Sequence, residues 1–264
     1  MLNSWLQQKN IVIIGGTGGL GLSAAMAFIR EGARVVVVGK DEESCESAGK
    51  NLGSQSRVIC GDAIHPETSK LAINTCVKEF GGLDGIYHVA GGSGRKMGDG
   101  PLHELTLAGW NQTLELNLTS LMLSDQAAIN WWIENKKSGS ILNIGSVLAF
   151  SPSPAYFSTH AYAAAKAAVV GFSKSIASYY AKNNIRVNVL VPALVETPMS
   201  QRAVNDELIL SFIKTKQPLD GGRIGKPADL DGLAIYFMSD FSKFTTGQVI
   251  AVDGGWTISE GQTG

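Results

Sequence analysis

Seven residues, Gly15-Gly16-Thr17-Gly18-Gly19-Leu20-Gly21, follow directly on the apolar stretch Ile11 to Ile14 and open into an alanine-rich segment beginning near Leu22. Residues without a Cβ permit a tight turn and let backbone N–H groups approach an anion at the positive end of the following helix. Between a strand and a helix, this is the place of a dinucleotide fingerprint, whose anion is a pyrophosphate. The run reads in two registers: G-x-G-x-x-G through Gly16, Gly18 and Gly21, or G-x-x-x-G-x-G through Gly15, Gly19 and Gly21. A structural turn can carry the same glycines. The context along the chain has to decide.

That context is an alternation. Short apolar runs at 11–14, 34–38, 57–60, 85–89, 140–144, 186–190 and 248–252 predict seven strands. Between them, helical periodicity predicts helices over Leu20 to Glu31, Thr68 to Phe80, Leu105 to Asn135, Ala161 to Asn183 and Ala228 to Asp240. Strands alternating with helices imply an α/β fold: a doubly wound parallel sheet covered by helices on both faces. No linker, composition shift or repeat divides residues 1–264, so a single Rossmann-type domain is expected. The charge balance, 22 Lys and Arg against 23 Asp and Glu, lacks the basic footprint of a nucleic-acid binder. With 44% apolar residues and little net charge, the chain also does not read as disordered.

The uncharged stretch from Ile11 to Ile29, with Ala25-Met26-Ala27, mimics a secretory leader. Its glycines leave too short an apolar run for a leader or a membrane span. Ser138 to Ala165 is broken by Pro152, Pro154 and several serines. Three cysteines, Cys45, Cys60 and Cys76, show no C-x-x-C spacing and read as reduced thiols in a cytoplasmic protein. His103-Glu104 has no second histidine at zinc-binding spacing, so no metal site is expected.

The second strand ends at Gly39-Lys40-Asp41, about 20 residues past the glycines, where an acid commonly meets the ribose hydroxyls of NAD. Gly39 stands there instead, and Lys40 offers a cation for the 2′-phosphate of NADP. NADP is preferred, with Asp41 keeping NAD open and Lys40 in a solvated helix start as the bland alternative. Farther on, Tyr162 and Lys166 stand four apart in a helical segment and project from one face. One such pair proves little. The ordered set of motifs proves more.

That set resembles the short-chain dehydrogenase/reductase family, in its subgroup of about 250 residues and its 3-oxoacyl reductase-like members, over nearly the whole chain. It comprises Gly15, Gly19 and Gly21; Asp62 and Ala63 after the third strand; Ala90-Gly91 after the fourth; and Asn117 in the long helix. Then come Asn143-Ile144-Gly145-Ser146, Tyr162-Ala163-Ala164-Ala165-Lys166, Pro192, Val195-Glu196-Thr197-Pro198 and Val252-Asp253-Gly254-Gly255. The resemblance implies an NAD(P)-dependent oxidoreductase moving hydride between a nicotinamide and a secondary alcohol or ketone, more specifically a carbonyl reductase. Tyr162 would be the general acid or base, and Lys166 would lower its pKa and bind the nicotinamide ribose. Ser146 would hold the substrate oxygen, and Asn117 a proton-relaying water. Gly15, Thr17, Gly18, Gly19, Leu20, Gly21, Gly39, Lys40, Asp62, Ala63, Ala90, Gly91, Pro192, Val195 and Thr197 would surround the cofactor, with Asp62 on the adenine amino group and Thr197 on the carboxamide. A homotetramer would be expected.

There are departures. His88-Val89-Ala90-Gly91 replaces the usual N-N-A-G, with His88 preferred as a satisfied core histidine over a changed contact supporting the sheet. Ala193 stands where glycine is usual. Ser146 and Tyr162 are 16 apart rather than 13, which implies about three extra residues in Phe150 to Thr159. Phe150, Tyr156 and Phe157 then either shape the pocket or form a lid packed on itself, and Ser151 or Ser153 are alternatives to Ser146. Met199 to Gln217 predicts a short helix whose apolar face meets either substrate or protein. Arg95 and Lys96 face either an acidic substrate tail, such as phosphopantetheine or CoA, or only solvent. Trp131 and Trp132 cannot both face one core. An inactive dinucleotide-binding sensor or scaffold is the competing class, and the enoyl reductase pattern fails because Ala163, not Lys, follows Tyr156 by seven.

Overall fold

In the computed structural model, which describes residues 4–261, seven strands form one parallel sheet. They are β1 (Asn10–Ile14), β2 (Arg34–Gly39), β3 (Ser56–Cys60), β4 (Gly85–His88), β5 (Gly139–Ile144), β6 (Ile185–Pro192) and β7 (Val249–Val252). Their order is β3-β2-β1-β4-β5-β6-β7, and every pairing is parallel. The crossovers carry α1 (Gly19–Arg30), α2 (Glu42–Leu52), α3 (Pro66–Phe80), α4 (Leu107–Leu114), α5 (Ser120–Glu134), α6 (His160–Tyr180), α7 (Gln201–Val204), α8 (Glu207–Lys216) and α9 (Ala228–Met238).

The two-residue period of a strand explains the two faces. Ile11 and Ile13 of β1 pack with Phe28 of α1 and Phe237 of α9, while Val12 and Ile14 pack with Ile73 of α3 and Trp132 of α5. All four β1 side chains are fully buried, and each such aliphatic contributes about 1.5–3 kcal/mol. A third cluster joins Val189 and Val191 of β6 to Ile209, Phe212 and Ile213 of α8 and to Trp256.

Several expectations need correction. The helix predicted from Leu105 to Asn135 starts at Leu107 and is interrupted by a π turn over Glu115–Thr119, which places Asn117 in a widened turn. Met199 to Gln217 forms two helices, α7 and α8, and the apolar face of α8 packs on the protein. Of the two tryptophans, Trp132 is buried and donates to the Leu83 carbonyl (2.8 Å), while Trp131 is half-buried on the same cluster. His88 is the core histidine expected: Nδ1 meets Ser124 Oγ at 2.8 Å and Nε2 meets Ser120 Oγ at 3.3 Å. Burial pushes its pKa down to about 3, so it is neutral.

The strand order reverses between β1 and β4, and a crevice opens there at the carboxyl edge of the sheet. Gly15 and Gly16 donate to the Val38 carbonyl, and Ala90 donates to that of Ile14, tying the loops after β1 and β4 to this edge.

Candidate active site

The crevice is a cavity of about 670 Å³. At one end lies the glycine turn. Gly15 has a φ of +86°, and a Cβ there would stand 2.6 Å from the Ala90 nitrogen; one on Gly21 would run into the Gly15 carbonyl. Both therefore exclude side chains, as does Gly16, where a Cβ would stand 2.7 Å from Val37 Cβ. Gly18 differs: its backbone is extended and a Cβ would meet open space. It is the N-cap of α1, with no side-chain cap and no acid in the first turn. The first N–H groups of α1 thus face the cavity, lined here by Gly15, Gly18, Gly19 and Leu20, without a protein carboxylate. That is what a pyrophosphate requires, so the residues fit a dinucleotide cofactor.

Past this turn, Gly39 ends β2 where a Cβ would collide with Thr17, whose hydroxyl meets Ser44 Oγ at 3.3 Å. Lys40 Nζ pairs with Asp62 Oδ2 at 2.5 Å rather than standing free. Burial would raise the Asp62 pKa, but the Lys40 ammonium and the Ile64 N–H together hold it below the usual carboxylate value. Ala63 is buried in the cluster that also holds Val36, Val38 and Ile73. Thr17, Gly39, Lys40, Asp62 and Ala63 lie outside the cavity lining, whereas Ala90, Gly91, Pro192, Val195 and Thr197 belong to it.

The other end gathers the polar groups from β5 and α6. Lys166 is 2% exposed and donates to the carbonyl of Ile144, the last residue of β5, at 2.9 Å. Its ammonium lies 5.8 Å from the Tyr162 ring centre. Burial pushes the Lys166 pKa down to about 8. Burial also raises that of Tyr162, and a hydrogen bond with Ser146 offsets this only in part. The phenol therefore holds its proton at neutral pH; the downward shift anticipated for it is not a property of these protein groups alone.

Ser146 lines the cavity and accepts from the Leu148 N–H at 3.2 Å, while Ser151 and Ser153 lie outside the lining. The lengthened loop splits: Phe157 lines the cavity, Tyr156 stacks on Phe212 at 5.1 Å, and Phe150 is exposed. The side-chain amide of Asn117 is engaged by protein groups. Its Oδ1 accepts from Gly92 N at 3.0 Å, and its Nδ2 donates to the carbonyls of Gly92 and Thr113, both at 2.9 Å. It clamps the loop after β4 where a Cβ on Gly91 would crowd Asn117 Oδ1 (2.7 Å) and approach Lys166 Nζ (3.5 Å).

Sequence reading missed Asp99. This buried carboxylate, in the loop after β4, accepts from Ala161 N (3.0 Å) and Tyr162 N (2.9 Å) and so caps α6 across 62 and 63 residues of chain. It also missed Leu148, Leu194 and Trp256 in the lining, while Met199 and Arg202, within the segment expected over the cleft, line it without having been singled out. No local motif marks any of them, because they arrive on segments far apart in sequence: Asp99 after β4, Leu148 after β5, Leu194, Met199 and Arg202 after β6, and Trp256 after β7.

Comparison with known proteins agrees with this geometry. The family model described as enoyl-(acyl carrier protein) reductase matches residues 15–257. The chain belongs to the short-chain dehydrogenase/reductase family and is an oxidoreductase acting on alcohol or carbonyl groups with a nicotinamide cofactor. It is 33% identical over 253 residues to 2,5-dichloro-2,5-cyclohexadiene-1,4-diol dehydrogenase of Sphingobium indicum, covering 96% of this chain and 98% of that protein. It is 32% identical over 258 residues to 3-oxoacyl-(acyl-carrier-protein) reductase of Chlamydia muridarum, covering 96% and 99%. A solved short-chain dehydrogenase/reductase from Mycobacterium ulcerans superposes with a TM-score of 0.87 at 27% identity, covering 96% of this chain and 91% of that one.

Proposed function

We propose that the protein is a carbonyl reductase that prefers NADPH, with Tyr162 as proton donor. The observation that carries this reading is the convergence of Tyr162, Ser146 and Lys166 on the cavity that the uncapped α1 also faces. The cofactor supplies the hydride. Ser146 Oγ orients the carbonyl oxygen, and the Tyr162 phenol gives that oxygen its proton. A neutral phenol suits this direction, since reduction consumes one proton. The Lys166 ammonium, anchored on Ile144, stabilises the phenolate left behind and holds the ribose side of the cofactor. Asn117 and Gly91 are positioning residues that set the loop beside Lys166.

NADPH is favoured by Lys40 at the tip of β2, whose side chain is 77% exposed and exchanges Asp62 for a 2′-phosphate. Asp62 is then free to accept from the adenine amino group, Thr197 to meet the carboxamide, and Thr17 and Ala63 to border the adenosine. We place the protein in the cytoplasm, where its free thiols Cys45, Cys60 and Cys76 stay reduced. We expect a homotetramer, supported by exposed Leu107 and Tyr179 on α4 and α6; light scattering showing only the 27.9 kDa monomer mass would refute it.

The test is Tyr162→Phe with NADPH and a carbonyl panel. Turnover should fall about 10²–10⁴-fold, the usual worth of a positioned general acid, while NADPH binding by fluorescence titration stays intact. Wild-type turnover in the variant would overturn the assignment.

A further inference from the structure

The cavity is electrostatically one-sided. Four cationic side chains line it, Arg95, Lys96, Lys166 and Arg202, and no aspartate or glutamate does among the described residues. The whole chain has a net charge of −1, so this excess is local. Lys166 belongs to the polar end already described. Arg95 and Arg202 come from two separate elements, the loop after β4 and α7, and both aim at one atom. Arg95 Nη2 donates to the Tyr156 carbonyl at 3.1 Å, and Arg202 Nη2 donates to the same oxygen at 2.9 Å.

Two guanidinium groups held side by side repel one another. Burial, then the Arg202 charge, push the Arg95 pKa below its ordinary value, and the Asp99 charge offsets this only in part. Among the described residues no salt bridge joins Arg95 or Arg202 to a carboxylate. One carbonyl uses one of the five donors on each arginine, leaving forked N–H pairs suited to a bidentate oxyanion. Met199, Leu194 and Phe157 supply an apolar wall in the same cavity.

We propose that Arg95 and Arg202 form an anion subsite, so that the substrate is an oxo or hydroxy compound whose carbon chain ends in a carboxylate or a phosphate. The proposal rests on the carbonyl-reductase reading, and the experiment separates the two. Oxo acids and oxo phosphates of graded length are assayed with NADPH, each acid against its methyl ester, in the wild type, Arg95→Gln and Arg202→Gln. In parallel, butyrate, hexanoate and octanoate, each against its amide, and inorganic phosphate are titrated into the NADPH complex, with isothermal calorimetry as the readout.

The expected result is a kcat/KM at least ten-fold higher for acid or phosphate than for ester. Each variant should cost the charged substrate at least ten-fold more than the ester, mainly through KM. A preference for the phosphates over the acids, or the reverse, names the anion. Acids and esters turned over alike, or lost alike in both variants, would overturn the subsite while leaving the reductase reading intact. If no carbonyl is reduced but carboxylates bind better than amides and lose this in the variants, the subsite stands and the carbonyl-reductase reading falls. If carboxylates and amides bind alike, the subsite falls whatever the turnover.

Discussion

Helices α1 and α6 both begin at the carboxyl edge of the sheet, and both first turns line the same cavity, yet they are finished in opposite ways. The N-terminus of α6 is closed by Asp99, whose two carboxylate oxygens take the N–H groups of Ala161 and Tyr162. That of α1 is left open at Gly18, with no side chain to accept and no acid nearby in the turn. An uncapped helix end is a standing deficit of acceptors. The protein fills that deficit itself where a side chain must be fixed before any ligand arrives, as Tyr162 must. On the function proposed above, the deficit is left where the cofactor would bring its own negative charge.

The sharpest way to break this contrast is to close the open end. Gly18→Asp is tolerated by the backbone, because φ is −160° and the Cβ would meet nothing within 4 Å. A new N-cap then satisfies α1 and puts a carboxylate where the proposed pyrophosphate site lies. NADPH binding, read by fluorescence titration, should weaken about 100-fold from charge repulsion and occupied N–H groups. Thermal stability should hold or rise by a few tenths of a kcal/mol, the usual gain of Asp over Gly at an N-cap. Unchanged NADPH affinity would show that α1 is not the phosphate site.

Opening the closed end should do the reverse. Asp99→Ala leaves two N–H groups of α6 unpaired, and we expect a loss of about 2 kcal/mol in urea unfolding. Asp99→Asn, which keeps one acceptor, should lose about half of that. Turnover should fall more than NADPH affinity, because the displaced turn carries Tyr162 and not the phosphate cradle. An equal loss of both would mean that Asp99 serves overall stability alone.

The two helix ends also differ in how far the sequence revealed them. The glycine turn was legible because its constraint is local: a positive φ at Gly15 and a blocked Cβ at Gly21 leave a mark within seven residues. The seven strands were legible for the same reason, since a buried parallel strand is a short apolar run, and their boundaries shift by only a residue or two. Tyr162 and Lys166 share a helix face, so their spacing was readable too. Asp99 and Arg202 were not, because what they touch lies 46 to 63 residues away in sequence and is set by loop shape. The π turn at Asn117 was hidden because its residues have ordinary helical periodicity. Lys40 was legible as a cation at the right place, but its pairing with Asp62 depends on β2 and β3 lying side by side.

The smallest effect concerns what the closed end of α6 delivers. Lys166 is held dry one turn beyond Tyr162, and burial lowers its pKa to about 8 from the ordinary 10.5. Below pH 8 it is an ammonium that can stabilise the Tyr162 phenolate; above, it loses that charge. Carbonyl reduction should therefore fall about four-fold between pH 7 and pH 8.5, the change in protonated fraction for a group titrating near 8. Stability should move the other way. Between pH 8 and 10.5 the unfolded chain still binds the proton that the folded chain has released, so the Lys166 contribution to stability rises with pH. Comparing wild type with Lys166→Met isolates that contribution: the unfolding free energy of the wild type should gain on the variant across this window while its reductase activity declines. If activity and relative stability instead fall together above pH 8, Lys166 is not a buried, proton-poor ammonium, and the activity loss belongs to another group.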